Sequence, residues 1–376
     1  MSISRVKQEI IESHKKNNML SAPFLSNVQQ GLKDLSTEQP NTQLHPNVIK
    51  TTTEELTNGQ THYVDVPGIA PLREVLIKYF EGLGIEGYEK QTIAVTASVQ
   101  ESRFLSLQII SESFSSVGVP EVVHPNVRKV IGLRPKEVHS IPVDMGAGML
   151  PTLEGIRDVL ANGCRLVYLE SPVRLTGATF DARAIEEIAA MLTEFDGFAI
   201  WDQGLCPWIL DEKYVSLGTQ PNITERATLI GETFPGVGLE GWGVGYLATS
   251  NAWFPKISKL KQVMSICTST PSQLATLKAS ENYEIECQKL RMQLSSARQI
   301  AVEVAKKVNV EVITGKVASL LTLKLANATT MKSKLSNEGY LCADGKAFGA
   351  PETLRLAVTP DGLLSDAISL LSQDRT

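Results

Sequence analysis

The sequence predicts an α/β fold in which a mostly parallel sheet is covered by helices, followed by a second and smaller domain. Strand and helix patterns alternate through the middle of the chain, as expected when parallel strands are joined by helices. After Pro271 the pattern changes to one long helical segment over residues 272–308, broken once near Tyr283. Short strand patterns follow it, so this change marks the smaller domain.

Each predicted element has a local reason in the sequence. Residues 69–82 carry apolar side chains at helical spacing, and Gly82 and Gly84 are stop signals. The same period predicts helices over residues 99–111 and 180–194, the second with Asp181 as its N-cap. Apolar runs predict strands at residues 91–96, 117–123, 165–169, 197–201, 227–230, 310–313, 320–325 and 353–358. A helix over residues 365–371 closes the chain, whereas residues 25–61 are polar, weakly periodic and the hardest to place.

Composition limits the classes of function. The 376 residues are 43% hydrophobic and 20% charged, typical of a globular protein with a substantial core. The formal net charge is −5, and Lys and Arg are scattered along the chain, so no basic surface for nucleic acid is expected. No segment reaches the roughly 18 to 20 apolar residues of a membrane-spanning helix, and the first 18 residues lack the apolar core of a signal peptide. We therefore expect a cytoplasmic protein without a membrane partner.

The cysteines favour reduced thiols. There are five, which is an odd number, and they lie far apart without C-x-x-C spacing. This pattern argues against a disulfide framework and against a zinc site, so no metal ligand is predicted. We expect structural or inert side chains at Cys164, Cys206, Cys267, Cys287 and Cys342.

The most informative segment, residues 231–246, reads GETFPGVGLEGWGVGY. It resembles the cofactor loop of the class I/II aminotransferases, fold-type I enzymes that use pyridoxal phosphate (PLP), in which the loop reads roughly S-x-S-K-x-x-G-L-x-G-x-R-x-G-Y. The lysine of that loop forms the Schiff base with the cofactor aldehyde. In this chain Pro235 stands at the lysine, Glu232 and Phe234 stand at the two serines, and Gly243 stands at the arginine.

The resemblance covers almost the whole chain in order and implies the architecture. It predicts a mostly parallel, seven-stranded sheet with helices on both faces in a large domain, and a smaller α+β domain. The implied organisation is an N-terminal segment over residues 1–45 that packs with the small domain, a large cofactor-type domain over residues 46–275, and a small domain over residues 276–376.

Two segments resemble the part of the family site that holds the cofactor phosphate. Residues 96–102 match the turn T-x-G-x-x-x-A, where a helix N-terminus binds the anion, so Ser98 and Val99 are candidate cofactor-binding residues. Ser98 replaces the glycine, and it would alternatively serve only as a helix N-cap. Residues 63–73 match Y-x-x-x-x-G-x-x-x-L-R, in which the tyrosine, here Tyr63, reaches the partner subunit's cofactor; the alternative is an ordinary turn.

Two further segments resemble the part that holds the cofactor ring. Residues 199–205 match D-E-x-Y, and Asp202 falls on the aspartate that keeps the pyridine nitrogen protonated, with Leu205 at the tyrosine. Residues 170–177 match N-P-x-N-P-T-G, and Arg174 falls on the second asparagine, which binds the ring oxygen. Arg174 could donate to that oxygen or to a carboxylate, or could be a solvated turn residue. Val127 and Val130 replace the family's aromatic residues.

Three residues are candidates for binding the substrate. Arg355 falls in a segment that resembles I-R-L-S-F, whose arginine forks the substrate carboxylate; the alternative is a surface arginine on a strand. Glu38 replaces the glycine of a segment that resembles the substrate loop L-x-x-G-E-P. Arg174 is the third candidate.

The resemblance leaves the catalytic residue unassigned. Proline cannot form the imine or move the proton that transamination requires. The nearest downstream lysines, Lys256, Lys259 and Lys261, lie on a helical pattern and are expected to be solvated or structural. His124 lies on a loop at a strand end, where it could be a base or an ordinary loop histidine.

These observations support three hypotheses and leave open whether the chain is an enzyme. The first is a repurposed enzyme that binds an amino-acid-like carboxylate through Arg355, with PLP bound weakly and noncovalently or not at all. The second is a non-catalytic homologue that acts as a binding or dimerising protein, and the third is an active aminotransferase with a relocated lysine. A homodimer is expected by resemblance, because family sites are shared across a twofold axis.

Overall fold

The computed structural model describes residues 32–372 except 39, 41, 211, 212 and 314. The first residues of the predicted N-terminal segment, 1–31, lie outside the described part. These described residues divide into two compact units, a larger one within residues 41–290 and 315–317, and a smaller one within residues 32–40, 291–313 and 318–372. The sequence prediction sets its boundaries after residues 45 and 275.

Helices follow most of the periodic segments. Those of the described residues are α1 (Pro46–Thr57), α2 (Ala70–Gly82), α3 (Ser98–Ile110), α4 (Pro125–Ile131), α5 (Leu153–Ala161), α6 (Ala182–Glu194), α7 (Phe254–Ser265), α8 (Thr270–Ser280), α9 (Tyr283–Lys307), α10 (Ala328–Asn337) and α11 (Leu363–Ser369).

The strands are short, and most are buried. Those of the described residues are β1 (Lys33–Leu35), β2 (Ile93–Ala97), β3 (Ser116–Pro120), β4 (Glu137–Ile141), β5 (Val143–Asp144), β6 (Leu150–Pro151), β7 (Leu166–Glu170), β8 (Phe198–Asp202), β9 (Ala227–Glu232), β10 (Val244–Ala248), β11 (Glu311–Ile313), β12 (Leu320–Lys324), β13 (Tyr340–Asp344) and β14 (Thr353–Ala357).

The larger unit is built on a seven-stranded sheet in the order β2-β10-β9-β8-β7-β3-β4. Neighbours from β9 to β4 pair in parallel, whereas β10 is antiparallel to both β2 and β9. Every residue of β7 and β8 is buried, as expected for central parallel strands covered on both faces. This sheet confirms the predicted α/β class and the mostly parallel, seven-stranded architecture.

The register of β7 and β8 brings two acids together at their carboxyl ends. Glu170 is the last residue of β7, Asp202 is the last residue of β8, and the two are partners across the parallel pair. In sheets of this kind ligands bind outside the carboxyl ends of the strands. The fold therefore places the candidate site at this edge.

The smaller unit contains a five-stranded sheet in the order β1-β13-β14-β12-β11. β1 pairs in parallel with β13, and the remaining pairs are antiparallel. The N-terminal residues of β1 therefore join the same sheet as the C-terminal strands. β14 is a buried central strand that carries Arg355, whose partners in the sheet are Thr322 and Ala343.

Several local predictions are confirmed, and a few elements were not foreseen. The long helical pattern is two helices, α8 and α9, which separate just before Tyr283. Asp181 caps α6, because its carboxylate accepts a 2.8 Å hydrogen bond from the amide of Ala184. The weakly periodic region contains α1, which begins after His45 and includes Pro46 at its first position.

β10 was not predicted, because it lies inside the glycine-rich loop. No helix of the described residues is long and apolar enough to cross a membrane.

The glycine frame of the loop has a packing reason at Gly245. A Cβ atom there would lie 2.5 Å from the carbonyl carbon of Ser98 and 2.6 Å from the amide nitrogen of Val99. β10 thus runs against the backbone at the start of α3, where only hydrogen fits. Gly241 differs, because a Cβ atom there would meet nothing within 4 Å.

We expect Gly245→Ala to lower the free energy of unfolding by about 1–3 kcal/mol, because backbone atoms must move to admit the methyl group. Gly241→Ala is the matched control and is expected to change stability by no more than about 0.5 kcal/mol. Urea denaturation followed by circular dichroism measures both variants. Equal stability of the two variants would contradict this account of the loop.

Candidate functional site

A buried ion cluster surrounds Asp202 at the carboxyl end of β8. One carboxylate oxygen, Oδ2, accepts hydrogen bonds from Arg103 Nε at 3.0 Å, Arg103 Nη2 at 2.8 Å and the Tyr168 hydroxyl at 2.8 Å. The other, Oδ1, accepts from Arg174 Nη2 and from the amide of Gly204 at 3.0 Å. Both oxygens of this fully buried carboxylate are therefore engaged by donors.

Each member of the cluster is held by its own element. Arg103 projects from α3, and its Nη1 donates to the Gln100 side-chain oxygen one turn earlier at 3.2 Å. The turn after β7 is fixed by Glu170, whose oxygens accept from the amide of Arg174 at 3.0 Å and from the amide of His124 at 2.9 Å. Glu170 thus positions the backbone from which the Arg174 side chain extends towards Asp202.

Arg174 is fully buried and is not a solvated turn residue, which removes that alternative. Its guanidinium lies against the backbone of Gly204, where an added Cβ atom would come within 3.0 Å of Arg174 Cζ. The sequence-predicted residues Arg174 and Asp202 are therefore brought together, in direct contact with each other.

The electrostatics of the cluster differ between its two acids. Burial raises the pKa of Asp202, but the Arg174 and Arg103 guanidiniums outweigh burial and hold that pKa well below its usual range. Burial and the neighbouring Asp202 charge raise the pKa of Glu170 to about 7. Asp202 is therefore ionised, whereas Glu170 takes up its proton near neutral pH.

The turn predicted to bind phosphate is engaged within the chain. The amide of Ser98 donates to the carbonyl of Gly243 at 2.9 Å, and the Ser98 hydroxyl accepts from the amide of Gln100 at 3.1 Å. Ser98 has φ of +62°, and Val99 is buried in the hydrophobic core. The Ser98 hydroxyl therefore accepts from an amide in the first turn of α3, and the Val99 side chain packs in the core.

A carboxylate of the chain lies at the same helix start. Glu101 accepts hydrogen bonds from the amide of Ala97, from Lys261 Nζ at 2.9 Å and from the Ser265 hydroxyl at 2.9 Å. Lys261 is buried in this ion pair, whereas Lys256 and Lys259 are exposed. The structure thus gives Lys261 a structural role and leaves the other two lysines at the surface.

The loop that resembles the family's cofactor loop packs apolar side chains around Pro235. Pro235 is buried, and the ring of Phe234 lies 5.7 Å from that of Tyr79 and 4.8 Å from that of Tyr283. Phe234 holds φ of +51°, so the backbone accepts strain in order to place this ring in the cluster. The loop is therefore a piece of hydrophobic core that contains no amine.

Other positions of the predicted ring site have structural roles, either in the hydrophobic core or in a helix cap. Leu205 is fully buried, and both Val127 and Val130 belong to the hydrophobic core. His124 caps α4, because its Nδ1 accepts a 3.2 Å hydrogen bond from the amide of Asn126. This contact gives His124 the structural role of a helix cap.

Tyr63 is the most exposed of the predicted cofactor-binding residues, with 79% of its surface accessible. The preceding carbonyl, that of His62, accepts a 2.7 Å hydrogen bond from the Thr270 hydroxyl, which ties this segment to the start of α8. The predicted role of Tyr63 across a dimer interface stays a prediction.

In the smaller unit, Arg355 is buried on β14 and is not a surface arginine. Its Nη1 forms a 2.8 Å ion pair with Glu38 Oε1, and its Nη2 donates to the carbonyl of Ser36 at 2.8 Å. The guanidinium also lies 5.0 Å from the ring centroid of Phe348. Two residues predicted to bind substrate are therefore bound to each other.

Sequence reasoning missed three members of the cluster, namely Arg103, Tyr168 and Glu170. A signal for two of them was present, because charged side chains are rarely buried unless they are paired. Arg103 lies among the apolar residues of α3, and Glu170 ends the apolar run of β7. Both positions predict a partner, although the sequence does not name it.

These side chains do not fit PLP in the arrangement that the resemblance implies. A protonated ring nitrogen needs an acceptor on Asp202, and both oxygens already have donors. The imine needs an amine, and Pro235 supplies none. The amide of Ser98, expected at the phosphate, is bonded to Gly243.

The raised pKa of Glu170 predicts a pH-dependent stability. The folded chain keeps this proton up to about pH 7, whereas an unfolded glutamate releases it near 4.5. The stabilisation is therefore complete below 4.5 and is lost as the pH rises through 7. Between about pH 5 and 8 we expect the wild type to lose on the order of 2–3 kcal/mol relative to Glu170→Gln.

Urea denaturation at each pH measures this difference. Replacing the carboxylate by an amide removes a hydrogen bond and lowers the free energy of unfolding by an amount that does not depend on pH. The test therefore compares the slopes of the free energy of unfolding against pH. Glu81→Gln, a change at an exposed residue, is the control and should follow the wild type. Parallel curves for the wild type and Glu170→Gln would contradict the assignment.

Comparisons with known proteins agree with the fold. Aspartate aminotransferase of Thermotoga maritima is 23% identical over 336 residues, which cover 88% of this chain and 86% of that protein. A probable aspartate/prephenate aminotransferase of Aquifex aeolicus is 25% identical over 318 residues and 80% of each chain. The structure of Thermus thermophilus aspartate aminotransferase with maleate superposes with a TM-score of 0.85 at 17% identity, covering 99% of this chain and 96% of that one.

The model of a whole family also matches most of the chain. Residues 31–370 match the family described as aminotransferase class I and II, which is nearly all of the chain that the structure describes. The chain belongs to the PLP-dependent class I and II aminotransferase family.

Proposed function

We propose that this chain is a family member that does not transaminate and that acts as a binding protein. The observation that carries the proposal is Pro235 at the lysine position, buried in a loop whose neighbour Phe234 packs between two tyrosine rings. A lysine is required twice in transamination, first as the imine partner and then as the proton carrier. The loop residue Pro235 offers neither group, and its neighbour Phe234 is held among aromatic rings.

The relatives' names do not outweigh this observation. Aspartate aminotransferase activity is a property of the Thermotoga protein, whose identity with this chain is 23%. At that level the scaffold is retained while single reactive residues differ. The alternative of a relocated lysine is weakened because Lys261 is committed to Glu101 and Thr268, and because Lys256 and Lys259 face solvent.

The proposal predicts that purified protein incubated with excess PLP forms no visible absorbance band that borohydride fixes to the chain. Mass spectrometry after borohydride should show the unmodified mass. An assay with aspartate and 2-oxoglutarate should give no turnover above that of free PLP, with the Thermotoga enzyme as positive control. A stoichiometric adduct on one lysine, accompanied by turnover, would sink the proposal.

A specific observation favours a second function, the binding of a small carboxylate-bearing ligand through Arg355. This guanidinium already holds a carboxylate, that of Glu38, at 2.8 Å. Because a buried arginine without a partner is strongly destabilising, a ligand carboxylate can enter by exchanging with Glu38. The Thermus structure similar to this chain was determined with maleate, a dicarboxylate.

Exchange makes Glu38 a competitor of the ligand. The Glu38 side chain is 17% exposed whereas that of Arg355 is 1% exposed, so Glu38 is the partner that can leave towards solvent. The observed free energy of ligand binding is then the difference between the free energies with which the ligand carboxylate and the Glu38 carboxylate bind Arg355. We therefore expect weak binding in the wild type.

Glu38→Gln should raise the affinity for maleate at least about tenfold, because the competing charge is removed while Arg355 remains. Isothermal titration calorimetry at constant ionic strength measures the affinity. Arg355→Lys is the matched variant, which keeps the charge, loses the planar fork and should bind no better than the wild type. Equal affinity in the wild type and Glu38→Gln would remove Glu38 as the competitor.

Two further features belong to the proposal. We propose a homodimer, supported by the family resemblance and by the exposed ring of Tyr63; a monomer in sedimentation equilibrium would withdraw it. We propose a cytoplasmic location, supported by the odd number of cysteines and by their lack of C-x-x-C spacing. Recovery of the native protein in a membrane or extracellular fraction would withdraw this location.

A further inference from the structure

We propose that the Arg174 guanidinium takes the place on Asp202 that the protonated pyridine nitrogen of the cofactor would occupy, and that it thereby blocks the cofactor site. The inference deepens the proposed function and rests on it for the absence of an imine. It adds that the chain also excludes PLP as a noncovalent ligand. Three properties of the site support it: the acceptor on Asp202, the charge around it and the rigidity of the arginine.

The first property is the acceptor on Asp202. A protonated pyridine presents one planar, cationic N–H donor to this carboxylate. Arg174 Nη2 presents a donor of the same charge to Oδ1, beside the amide of Gly204. The other oxygen is taken by two nitrogens of Arg103 and by the Tyr168 hydroxyl. A carboxylate offers about four lone-pair sites, so this one is saturated.

The second property is charge. Two buried guanidiniums, at 2% and 0% side-chain exposure, already pair with Asp202, and the raised pKa of Glu170 limits the negative charge that this second acid of the cluster adds. A protonated ring would bring a third cation into the same low-dielectric pocket, where repulsion is only weakly screened. A neutral ring would lose the charge that makes it bind the aspartate. Both forms of the cofactor are therefore disfavoured.

The third property is rigidity, because a mobile arginine could swing aside. Arg174 is anchored at its backbone by Glu170 Oε2 at 3.0 Å and at its head by Asp202. The guanidinium also lies against Gly204, where no side chain intervenes. Leaving Asp202 would require the arginine to find another buried acceptor, since an unpaired buried charge is costly. The closed state is thus preorganised.

The experiment uses pyridoxamine phosphate, which carries the ring and the phosphate but cannot form an imine with the chain. Equilibrium dialysis measures its binding to the wild type, to Arg174→Asn and to Arg183→Asn. The first variant restores the residue type of the family motif, and the second removes a surface arginine as control. Arg174→Asn should bind at least about tenfold more tightly than the wild type. Arg183→Asn should equal the wild type.

A second pair of variants adds the lysine. Pro235→Lys alone should bind PLP no better than the wild type, whereas Pro235→Lys combined with Arg174→Asn should gain at least about tenfold. Equal binding by these two variants would overturn the inference, and so would a folded Arg174→Asn that binds pyridoxamine phosphate like the wild type. Circular dichroism verifies folding, which Asp202 supports through its remaining bonds to Arg103.

The wild type supplies a test that needs no folded variant. Saturable, one-to-one binding of pyridoxamine phosphate to the unaltered chain would overturn the inference. That outcome differs from failure of the proposed function, which would appear as turnover and a borohydride-fixed adduct with PLP. The two proposals can therefore fail separately.

Discussion

The carboxylate of Asp202, held between two guanidiniums, is the interaction on which the larger unit's site depends. A buried charge is tolerated only when it is paired and hydrogen-bonded, and here Arg103, Arg174, Tyr168 and Gly204 together meet that requirement. These donors come from α3, from β7 and from the turns that follow β7 and β8, so one anion joins several elements. Loss of Asp202 would remove this partner from both guanidiniums, and an uncompensated charge in a buried pair costs about 3–5 kcal/mol.

The retained and the altered positions of the family motifs have different physical origins. Gly245 is kept because backbone packs against backbone there, a constraint independent of any ligand. Pro235 and Leu205 are the residues that the resemblance sets at the lysine and at the ring-oxygen tyrosine, and both are buried. Arg174 and Glu38 differ from these, because each is a charged residue at a position that is uncharged in the motif it resembles. Arg174 pairs with Asp202 and Glu38 pairs with Arg355, the residues expected to bind a ligand. Within the described residues, the charges of Arg174 and Glu38 are each paired inside the chain.

The sequence predicted the parts of the fold that local pattern controls. Apolar runs predicted β7 and β8, and the helical period with the Asp181 cap predicted α6. β10 was not predicted, because its glycines do not give the apolar pattern of a strand. Motif register placed Asp202 and Arg174 in one site, but no local signal joined Arg103 to them, since that contact spans 99 positions of the chain. Glu38 and Arg355, 317 positions apart, were each predicted to meet a ligand, and only the folded chain shows that they meet each other.

The central claim is that the Arg174 guanidinium already occupies the place on Asp202 that the cofactor ring would need. A crystal structure of the wild-type protein grown with a large excess of PLP tests this claim most directly. The account predicts Arg174 and Arg103 on the two oxygens of Asp202, with no cofactor density beside them. A pyridine ring bonded to Asp202, with the Arg174 guanidinium displaced, would contradict it.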